Sequence, residues 1–224
     1  SRGALNLLEA VRRVNRDVAF VHVGTTTQLG PLHYQPADEH HPEFPTDIYS
    51  ANKTVAEKYV LLYARAYSLK ASVIRLPNVF GPRAAIHSPE FTFNNFFIGL
   101  ALQDKSITVY KPGTQLRNVL YVDDAVDALL AAVQSNKSVS ETYFAVSDDH
   151  LSVKEIAEKT CQTMGGSVKM MDWPKKRKAI EIGDAVISNV KINNTLGWEP
   201  KVSFEDGLKL TLNYYKDKLD HYLK

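Results

Sequence analysis

The chain has 224 residues, 44% of them hydrophobic and 23% charged, so it is long enough to bury the core of one domain or one and a half. Its net charge of +2 gives no sign of a nucleic-acid or acidic partner, and its single cysteine, Cys161, excludes an internal disulfide framework. No stretch reaches the roughly 18 apolar residues of a membrane span, and no signal peptide precedes the first helix. We therefore expect a cytoplasmic protein.

Helical patterns alternate with short apolar runs along the chain. Apolar periodicity and capping residues predict helices at 3–14, 46–68, 91–103, 123–134, 152–164 and from 204 onward. Short apolar segments predict strands at 18–23, 71–76, 107–110, 119–122, 141–146 and 167–171. A polar loop with prolines is expected at 31–45, and a basic linker at 175–178. The alternation predicts an α/β fold with a mostly parallel, doubly wound sheet.

Tyr49 and Lys53 are the first candidates for chemistry. Residues i and i+4 share a face of a helix, so the phenol and the ammonium can point at one site. A nearby cation favours phenolate and lowers the pKa of a tyrosine, which would make Tyr49 a usable base near neutral pH. The spacing alone is not specific, because Tyr214 and Lys218 repeat it in the last helix.

Other polar residues favour the first pair. Thr25 follows the first predicted strand and Asn78 follows the second, and parallel α/β sheets bind ligands at the carboxyl ends of their strands. The helix of Tyr49 begins one loop after Thr25. Turn chemistry is the alternative explanation for Thr25–Thr27, and a turn between prolines for Asn78. Taken together, these residues predict a site at one edge of the sheet.

Six short motifs lie along the chain in a fixed order. They are GALNLLEA at 3–10, VGTTTQLG at 23–30, YSANK at 49–53, RLPNVFGP at 75–82, RNVLYVDD at 117–124 and LGWEP at 196–200. This set resembles the extended short-chain dehydrogenases that act on nucleotide sugars, the NAD-dependent epimerase/dehydratase family. The resemblance implies a partial doubly wound Rossmann-type parallel sheet with a smaller mixed C-terminal substrate-binding lobe. It assigns 1–83 with 115–150 to the cofactor and catalytic domain, and 84–114 with 151–224 to the lobe.

The resemblance also implies a function, a nucleotide-sugar epimerase similar to UDP-glucose 4-epimerase. Tyr49 would be the acid/base, Lys53 would hold the nicotinamide ribose of NAD, and Thr25 would hydrogen-bond the reacting sugar hydroxyl. Arg117 would pair with the diphosphate, for which a guanidinium is suited. The implied cofactor-binding residues are Tyr49, Lys53 and Pro77, and the implied substrate-binding residues are Thr26, Asn78, Arg117 and Arg177.

Departures from the family pattern narrow the prediction. Dehydratases and decarboxylases of the family carry an acidic residue in the first-strand motif, whereas this chain has Thr25–Thr27, which favours an epimerase or a reductase. Glu181 stands where the family often has a second diphosphate-binding arginine. Arg177 either substitutes for it or belongs to a solvated basic loop. Leu29 replaces the tyrosine of the family's V-Y-G.

The cofactor half of the fold is the largest departure. The sequence contains no G-x-G-x-x-G and no strand before the first helix, so we expect a chain that lacks the N-terminal part of the Rossmann domain. Two other functions stay open. The chain could be a non-catalytic remnant that binds a nucleotide sugar or dimerises, or it could be a reductase of a small carbonyl compound. The implied diphosphate-binding role of Arg117 argues against the reductase. An open parallel edge also predicts a partner chain there, or a homodimer through the first helix and the helix of Tyr49.

Two pairs of polar residues are predicted to be structural. His40 and His41 lie in a polar loop without metal-ligand spacing, so we expect solvated side chains and no metal site. Asp123 and Asp124 are interpreted as a helix cap rather than as a pair of catalytic carboxylates.

Overall fold

The computed structural model describes residues 1–178 and 181–223, without the side chains of Lys176 and Arg177. The α-helices are α1 (Arg2–Val14), α2 (Ile48–Tyr67), α3 (Phe93–Ala101), α4 (Val122–Gln134), α5 (Val153–Met164), α6 (Lys175–Lys178), α7 (Val190–Leu196), α8 (Phe204–Tyr215) and α9 (Leu219–Tyr222). The strands are β1 (Phe20–Thr25), β2 (Ala71–Leu76), β3 (Asn78–Phe80), β4 (Ser106–Tyr110), β5 (Leu116–Tyr121), β6 (Thr142–Phe144), β7 (His150–Ser152) and β8 (Ser167–Met171). Short 3-10 turns span Thr26–Leu29 and Asn136–Ser138. The predicted α/β class is confirmed.

The chain folds into two compact units. The first consists of Ser1–Pro77, Ala125–Asp148 and Ile187–Glu199, and the second of Asn78–Asp124, Asp149–Val186 and Pro200–Lys224. These boundaries differ from the predicted domains, since 78–83 and 115–124 belong to the second unit and 187–199 to the first. The assignment of separate functions to two domains stays a prediction.

The first unit is built on the parallel sheet β1-β2-β6. Its core joins Leu8 of α1 and Val60 and Ala64 of α2 to Ala71 and Val73 of β2. Leu8 and Val60, which belong to the apolar patterns that predicted these helices, therefore face the sheet. α2 also packs beside β1 and the 3-10 turn that follows it, which brings the start of the helix close to the end of the strand.

The second unit contains two sheets, of which one is mixed and one is parallel. In the order β3-β5-β7, β3 and β5 are parallel and β5 and β7 antiparallel, while β4 and β8 form a separate parallel pair. Its buried core is rich in aromatic residues, including Phe80, Phe97, Tyr121, Phe204 and Tyr215. The antiparallel pairing involves β5, which the sequence analysis assigned to the cofactor domain, so a mixed lobe with the predicted bounds 84–114 and 151–224 stays a prediction.

Two local predictions are wrong. The basic run 175–178 forms the single-turn helix α6 rather than a linker. α4 begins at Val122, so Asp123 lies inside the helix instead of capping it. The buried Asp124 accepts hydrogen bonds from the backbone N–H groups of Lys201 (3.1 Å) and Val202 (3.0 Å). Its carboxylate therefore fastens the segment that leads into α8.

His41 is also not the solvated side chain that the sequence predicted, because it is only 3% exposed. Its Nε2 accepts a hydrogen bond from the backbone N–H of His33 (2.8 Å), and its Nδ1 donates to the carbonyl oxygen of Pro42 (2.7 Å). Both ring nitrogens thus hold the loop together. Within 1–178 and 181–223 there is no group of three histidine, cysteine or acidic side chains that could bind a metal. Over the same residues, no helix has the length and apolar character to cross a membrane.

Candidate active site at the end of the first strand

The turn after β1 is held by a capping box. Thr25 is the N-cap of the 3-10 turn, and its hydroxyl accepts a hydrogen bond from the backbone N–H of Thr27 (3.3 Å). In return, the side-chain oxygen of Gln28 accepts one from the backbone N–H of Thr25 (2.9 Å). These reciprocal bonds fix the Thr25 side chain at the carboxyl end of β1.

Three hydroxyl groups form a hydrogen-bonded chain at this turn. Ser50 Oγ donates to Thr27 Oγ1 (2.8 Å), and Thr27 Oγ1 lies 3.1 Å from Thr25 Oγ1. Because the Thr27 oxygen already accepts from Ser50, the Thr27 hydrogen is free to go to Thr25. The hydrogen of the Thr25 hydroxyl is then available to a further acceptor.

Tyr49 and Lys53 lie near the start of α2, whose N-cap is Asp47. Lys53 Nζ lies 5.8 Å from the centre of the Tyr49 ring and donates a hydrogen bond to the carbonyl oxygen of Val23 (2.7 Å). Burial raises the pKa of the Tyr49 phenol, a hydrogen bond with the Thr25 side chain lowers it, and the Asp47 carboxylate raises it again, for a net increase. Burial lowers the pKa of the Lys53 ammonium.

The prediction that Lys53 lowers the pKa of Tyr49 is therefore wrong in this structure. The ammonium is bound to the Val23 carbonyl oxygen, and partial burial of the phenol has the larger effect. Thr25, rather than Lys53, supplies the interaction that favours phenolate. The Tyr49 side chain is 59% exposed, so a ligand can reach it.

A buried charged cluster lies behind the turn. Gln28 Nε2 donates to Glu57 Oε2 (2.9 Å), and Glu57 accepts two more hydrogen bonds from Arg75, from Nε (3.0 Å) and from Nη2 (2.6 Å). Arg75 also pairs with Glu43. Gln28, Glu57 and Arg75 are each at most 2% exposed. The turn that carries Thr25 is thus connected by buried hydrogen bonds to both α2 and β2.

Sequence reasoning did not identify this cluster, although one signal was available. Arg75 is a charged residue inside a predicted apolar strand, and a buried charge requires a buried partner. Glu57 lies four residues beyond Lys53 in the same helix and is that partner. Burial acts to raise the pKa of Glu57, but the hydrogen bonds and charge of Arg75 outweigh it, so the pKa lies below its ordinary value.

His22 of β1 is a second residue that the sequence analysis did not single out. Its Nε2 is buried and has no hydrogen-bond partner among the described residues. Burial, together with the charge of Lys53, lowers the pKa of His22 to about 4. The imidazole is therefore neutral at neutral pH and adds no positive charge beside Lys53.

Thr26 and Pro77 lie at the carboxyl ends of neighbouring strands. Thr26 follows β1 and Pro77 follows β2, and Thr25 is the register partner of Leu76. The structure therefore brings Thr25, Thr26 and Pro77 to one edge of the first unit's sheet. This is the edge at which parallel α/β sheets bind ligands.

The other predicted substrate-binding residues belong to the second unit. The Asn78 amide at the start of β3 donates to the carbonyl oxygen of Asn118 (3.1 Å). Arg117 of β5 forms an ion pair with Glu181, with 2.6 Å between Nη2 and Oε1. The side chain of Arg177 lies outside the described residues. Substrate binding by Asn78, Arg117 and Arg177 stays a prediction.

Comparison with known proteins identifies relatives of this chain. Residues 1–211 match the family model of GDP-mannose 4,6-dehydratase. A low-salt glycan biosynthesis protein of Haloferax volcanii is 31% identical over 96% of this chain and 66% of its own length. UDP-glucuronic acid decarboxylase 1 of Xenopus tropicalis is 31% identical over 98% of this chain and 51% of its own length. The chain thus spans about two thirds of the first relative and about half of the second.

Solved structures also include relatives of this chain. The UDP-glucose 4-epimerase of Thermotoga maritima with UDP-glucose has a TM-score of 0.85 and 27% identity, covering 97% of this chain and 69% of that one. The dTDP-glucose 4,6-dehydratase of Bacillus anthracis in complex with NAD has a TM-score of 0.83 and 25% identity, covering 99% and 70%. The chain therefore belongs to the NAD-dependent epimerase/dehydratase family of extended short-chain dehydrogenases, within the group that the GDP-mannose 4,6-dehydratase model describes.

Proposed function

We propose that this protein acts on a nucleotide sugar as an NAD-dependent epimerase of the UDP-glucose 4-epimerase type. The observation that carries the proposal is the position of Thr25, Tyr49 and Lys53: the Thr25–Thr27–Ser50 hydroxyls join the end of β1 to the start of α2, where Tyr49 is exposed and Lys53 lies beside its ring. An exposed phenol with a neighbouring hydroxyl donor and cation is suited to proton transfer at a sugar hydroxyl.

Each of the three residues has a distinct proposed role. Tyr49 exchanges a proton with the sugar hydroxyl, and Thr25 donates a hydrogen bond that stabilises negative charge on the phenol or the sugar oxygen. Lys53 fits the nicotinamide ribose, since an ammonium has three N–H donors and Val23 accepts from one of them. Pro77 is proposed as a further contact to the cofactor. When bound, NAD supplies the acceptor and donor of the hydride.

The positions of the carboxylates near Tyr49 favour an epimerase over a dehydratase. A dehydratase needs an acid to protonate the hydroxyl group that leaves the sugar. Thr25–Thr27 contains no carboxylate. Asp47 is engaged as a helix cap, where its Oδ1 accepts from the backbone N–H of Ser50 (2.7 Å). Glu57 is buried and paired with Arg75. Each carboxylate therefore has a structural partner.

Residues outside this group are proposed to bind the nucleotide sugar. Thr26 would contact the sugar, Asn78 would hydrogen-bond the substrate, and Arg117 and Arg177 would bind its diphosphate. A guanidinium is well suited to a diphosphate because its planar N–H groups match two oxygen atoms at once.

Mass spectrometry of reaction products tests the function. The protein is incubated with NAD and, in separate reactions, UDP-galactose, dTDP-glucose, GDP-mannose and UDP-glucuronic acid. We expect at least one of them to give a product of unchanged mass that chromatography separates from its substrate, because mass alone does not distinguish an epimer from unreacted material. Loss of water would instead identify a dehydratase and loss of carbon dioxide a decarboxylase. In parallel reactions with NADH and a small carbonyl compound, stoichiometric consumption of NADH would identify a reductase. No turnover, together with no heat of NAD binding in calorimetry, would favour the non-catalytic remnant.

A homodimer through α1 and α2 is also proposed. Large apolar side chains are exposed on both helices at spacings of seven residues, which is typical of helices that pack against another helix. They are Leu7 and Val14 on α1, and Ile48, Val55 and Leu62 on α2. Sedimentation equilibrium is expected to give twice the chain mass, and Leu62→Glu to give the single mass. A wild-type protein that sediments as a monomer at all concentrations would contradict the proposal.

A further inference from the structure

We infer that Glu181 is a specificity-determining residue whose carboxylate competes with anionic ligands for the Arg117 guanidinium. The inference rests on the proposed function, in which Arg117 binds the diphosphate of a nucleotide sugar. It goes further because it assigns a role to Glu181 and predicts which ligands this protein disfavours.

The pairing is direct and largely shielded from solvent. Arg117 Nη2 donates to Glu181 Oε1 (2.6 Å), while Arg117 Nη1 donates to the carbonyl oxygens of Leu116 (2.7 Å) and Gly183 (2.6 Å). Only 15% of the Arg117 side chain and 24% of the Glu181 side chain are exposed. The guanidinium thus donates at least three hydrogen bonds to protein acceptors before any ligand arrives.

The segment that carries Glu181 is anchored to the strand that carries Arg117. Asp184 Oδ1 accepts from the backbone N–H of Leu116 (2.8 Å), and the backbone N–H of Ala185 donates to the carbonyl oxygen of Leu116 (3.1 Å). The backbone N–H of Gly183 also donates to Glu181 Oε1 (3.1 Å). These contacts place the carboxylate beside the guanidinium independently of the ion pair itself.

This arrangement has a consequence for ligand charge. A diphosphate that binds Arg117 must displace the Glu181 carboxylate or accept a negative charge beside its own. Both outcomes weaken binding, and like charges at such short range interact strongly when they are partly buried. Binding of a nucleoside diphosphate is therefore weakened more than binding of an uncharged nucleoside.

Calorimetry with nucleotide probes tests the inference. UDP, dTDP and GDP are titrated into the wild-type protein and into Glu181→Gln, which keeps the size of the side chain but removes its charge. For the diphosphate that binds the wild-type protein most tightly, we expect the Kd to be about tenfold lower in Glu181→Gln. The Kd of the corresponding uncharged nucleoside is expected to change by no more than about twofold. The gain is expected to shrink as salt rises, since added ions screen the repulsion.

Four further variants complete the experiment. Glu90→Gln removes the same charge from an exposed position and is expected to leave the Kd unchanged. If circular dichroism shows that Glu181→Gln is poorly folded, Glu181→Ala takes its place and is also expected to bind diphosphates more tightly than the wild type. Arg117→Gln alone is expected to weaken diphosphate binding, and the double variant Glu181→Gln/Arg117→Gln is expected to bind no more tightly than Arg117→Gln.

The results separate this inference from the proposed function. If Arg117→Gln weakens diphosphate binding but Glu181→Gln leaves it unchanged or weaker, Arg117 binds the diphosphate and the competition by Glu181 is refuted. If none of the proteins binds any of the three diphosphates at millimolar concentration, both the competition and the diphosphate role of Arg117 are refuted.

Discussion

Replacing Arg75 with methionine is expected to lower the free energy of unfolding by about 3–5 kcal/mol at neutral pH, the usual effect of breaking a buried ion pair. The substitution removes two hydrogen bonds to Glu57 and the ion pair to Glu43. Glu57 is 1% exposed and would stay in the core as a carboxylate without its cation. Methionine fills much of the volume, so the loss reflects charge more than a cavity.

The loss in this variant is expected to depend on pH. In the native protein the pKa of Glu57 lies below its ordinary value, so the pair stabilises the fold above about pH 4.3 and the stabilisation disappears as pH falls through the lowered pKa. Without Arg75, burial raises the pKa of Glu57. The free energy of unfolding of the variant then rises as pH falls from the raised pKa of Glu57 towards about 4.3. Over the same pH range, titration of Glu57 changes the stability of the native protein little.

Urea denaturation of the Arg75→Met protein at pH 7 and pH 5 measures both effects. The matched control is Lys70→Met, which removes an exposed pair with Asp17 at 3.5 Å, with side chains 49% and 91% exposed. Exposed pairs contribute at most about 1 kcal/mol, so the control is expected to change little at either pH. If Arg75→Met lowers the free energy of unfolding by less than 1 kcal/mol, or by the same amount at both pH values, Arg75 does not compensate a buried negative charge on Glu57.

Tyr49→Phe is expected to lower kcat by about 10²–10⁴-fold, the usual contribution of a positioned acid/base. The phenyl ring keeps the packing, so the Kd of the nucleotide sugar and the melting temperature should change little. The hydroxyl is the proposed proton acceptor of the sugar, so its removal leaves the sugar without one. Measuring kcat, Kd and thermal unfolding on the same preparation separates loss of chemistry from loss of fold.

The matched control is Tyr214→Phe. Tyr214 has Lys218 at the same spacing, with Nζ 4.2 Å from the ring centre, and hydrogen-bonds Tyr222 (2.6 Å). We expect full activity in this variant, because spacing and proximity to a lysine do not by themselves make a site. The rate of the wild-type enzyme should rise with pH towards the raised pKa of Tyr49, and Tyr49→Phe should lose that slope. Full activity in Tyr49→Phe would refute the catalytic role.

Local patterns were sufficient to predict much of this protein. The pairing of Tyr49 with Lys53 follows from the geometry of a single helix, and apolar periodicity placed α1, α2 and β2 within a few residues of their observed bounds. Motif order led to the family. Each of these features depends on residues close together in the chain, where residue types and spacing carry the information.

Within each of the two units, the contacts around the candidate residues join positions far apart in sequence and required the folded chain. Gln28 meets Glu57 across 29 positions, and Arg117 meets Glu181 across 64. Burial raises the pKa of Tyr49 and turns His41 into a residue that holds its loop together. Burial depends on which segments pack together rather than on the spacing of residues in the sequence. A buried polar group takes whichever partner the fold brings within hydrogen-bond distance, so residue types could nominate Arg75 and Glu181 but only the tertiary structure could pair them.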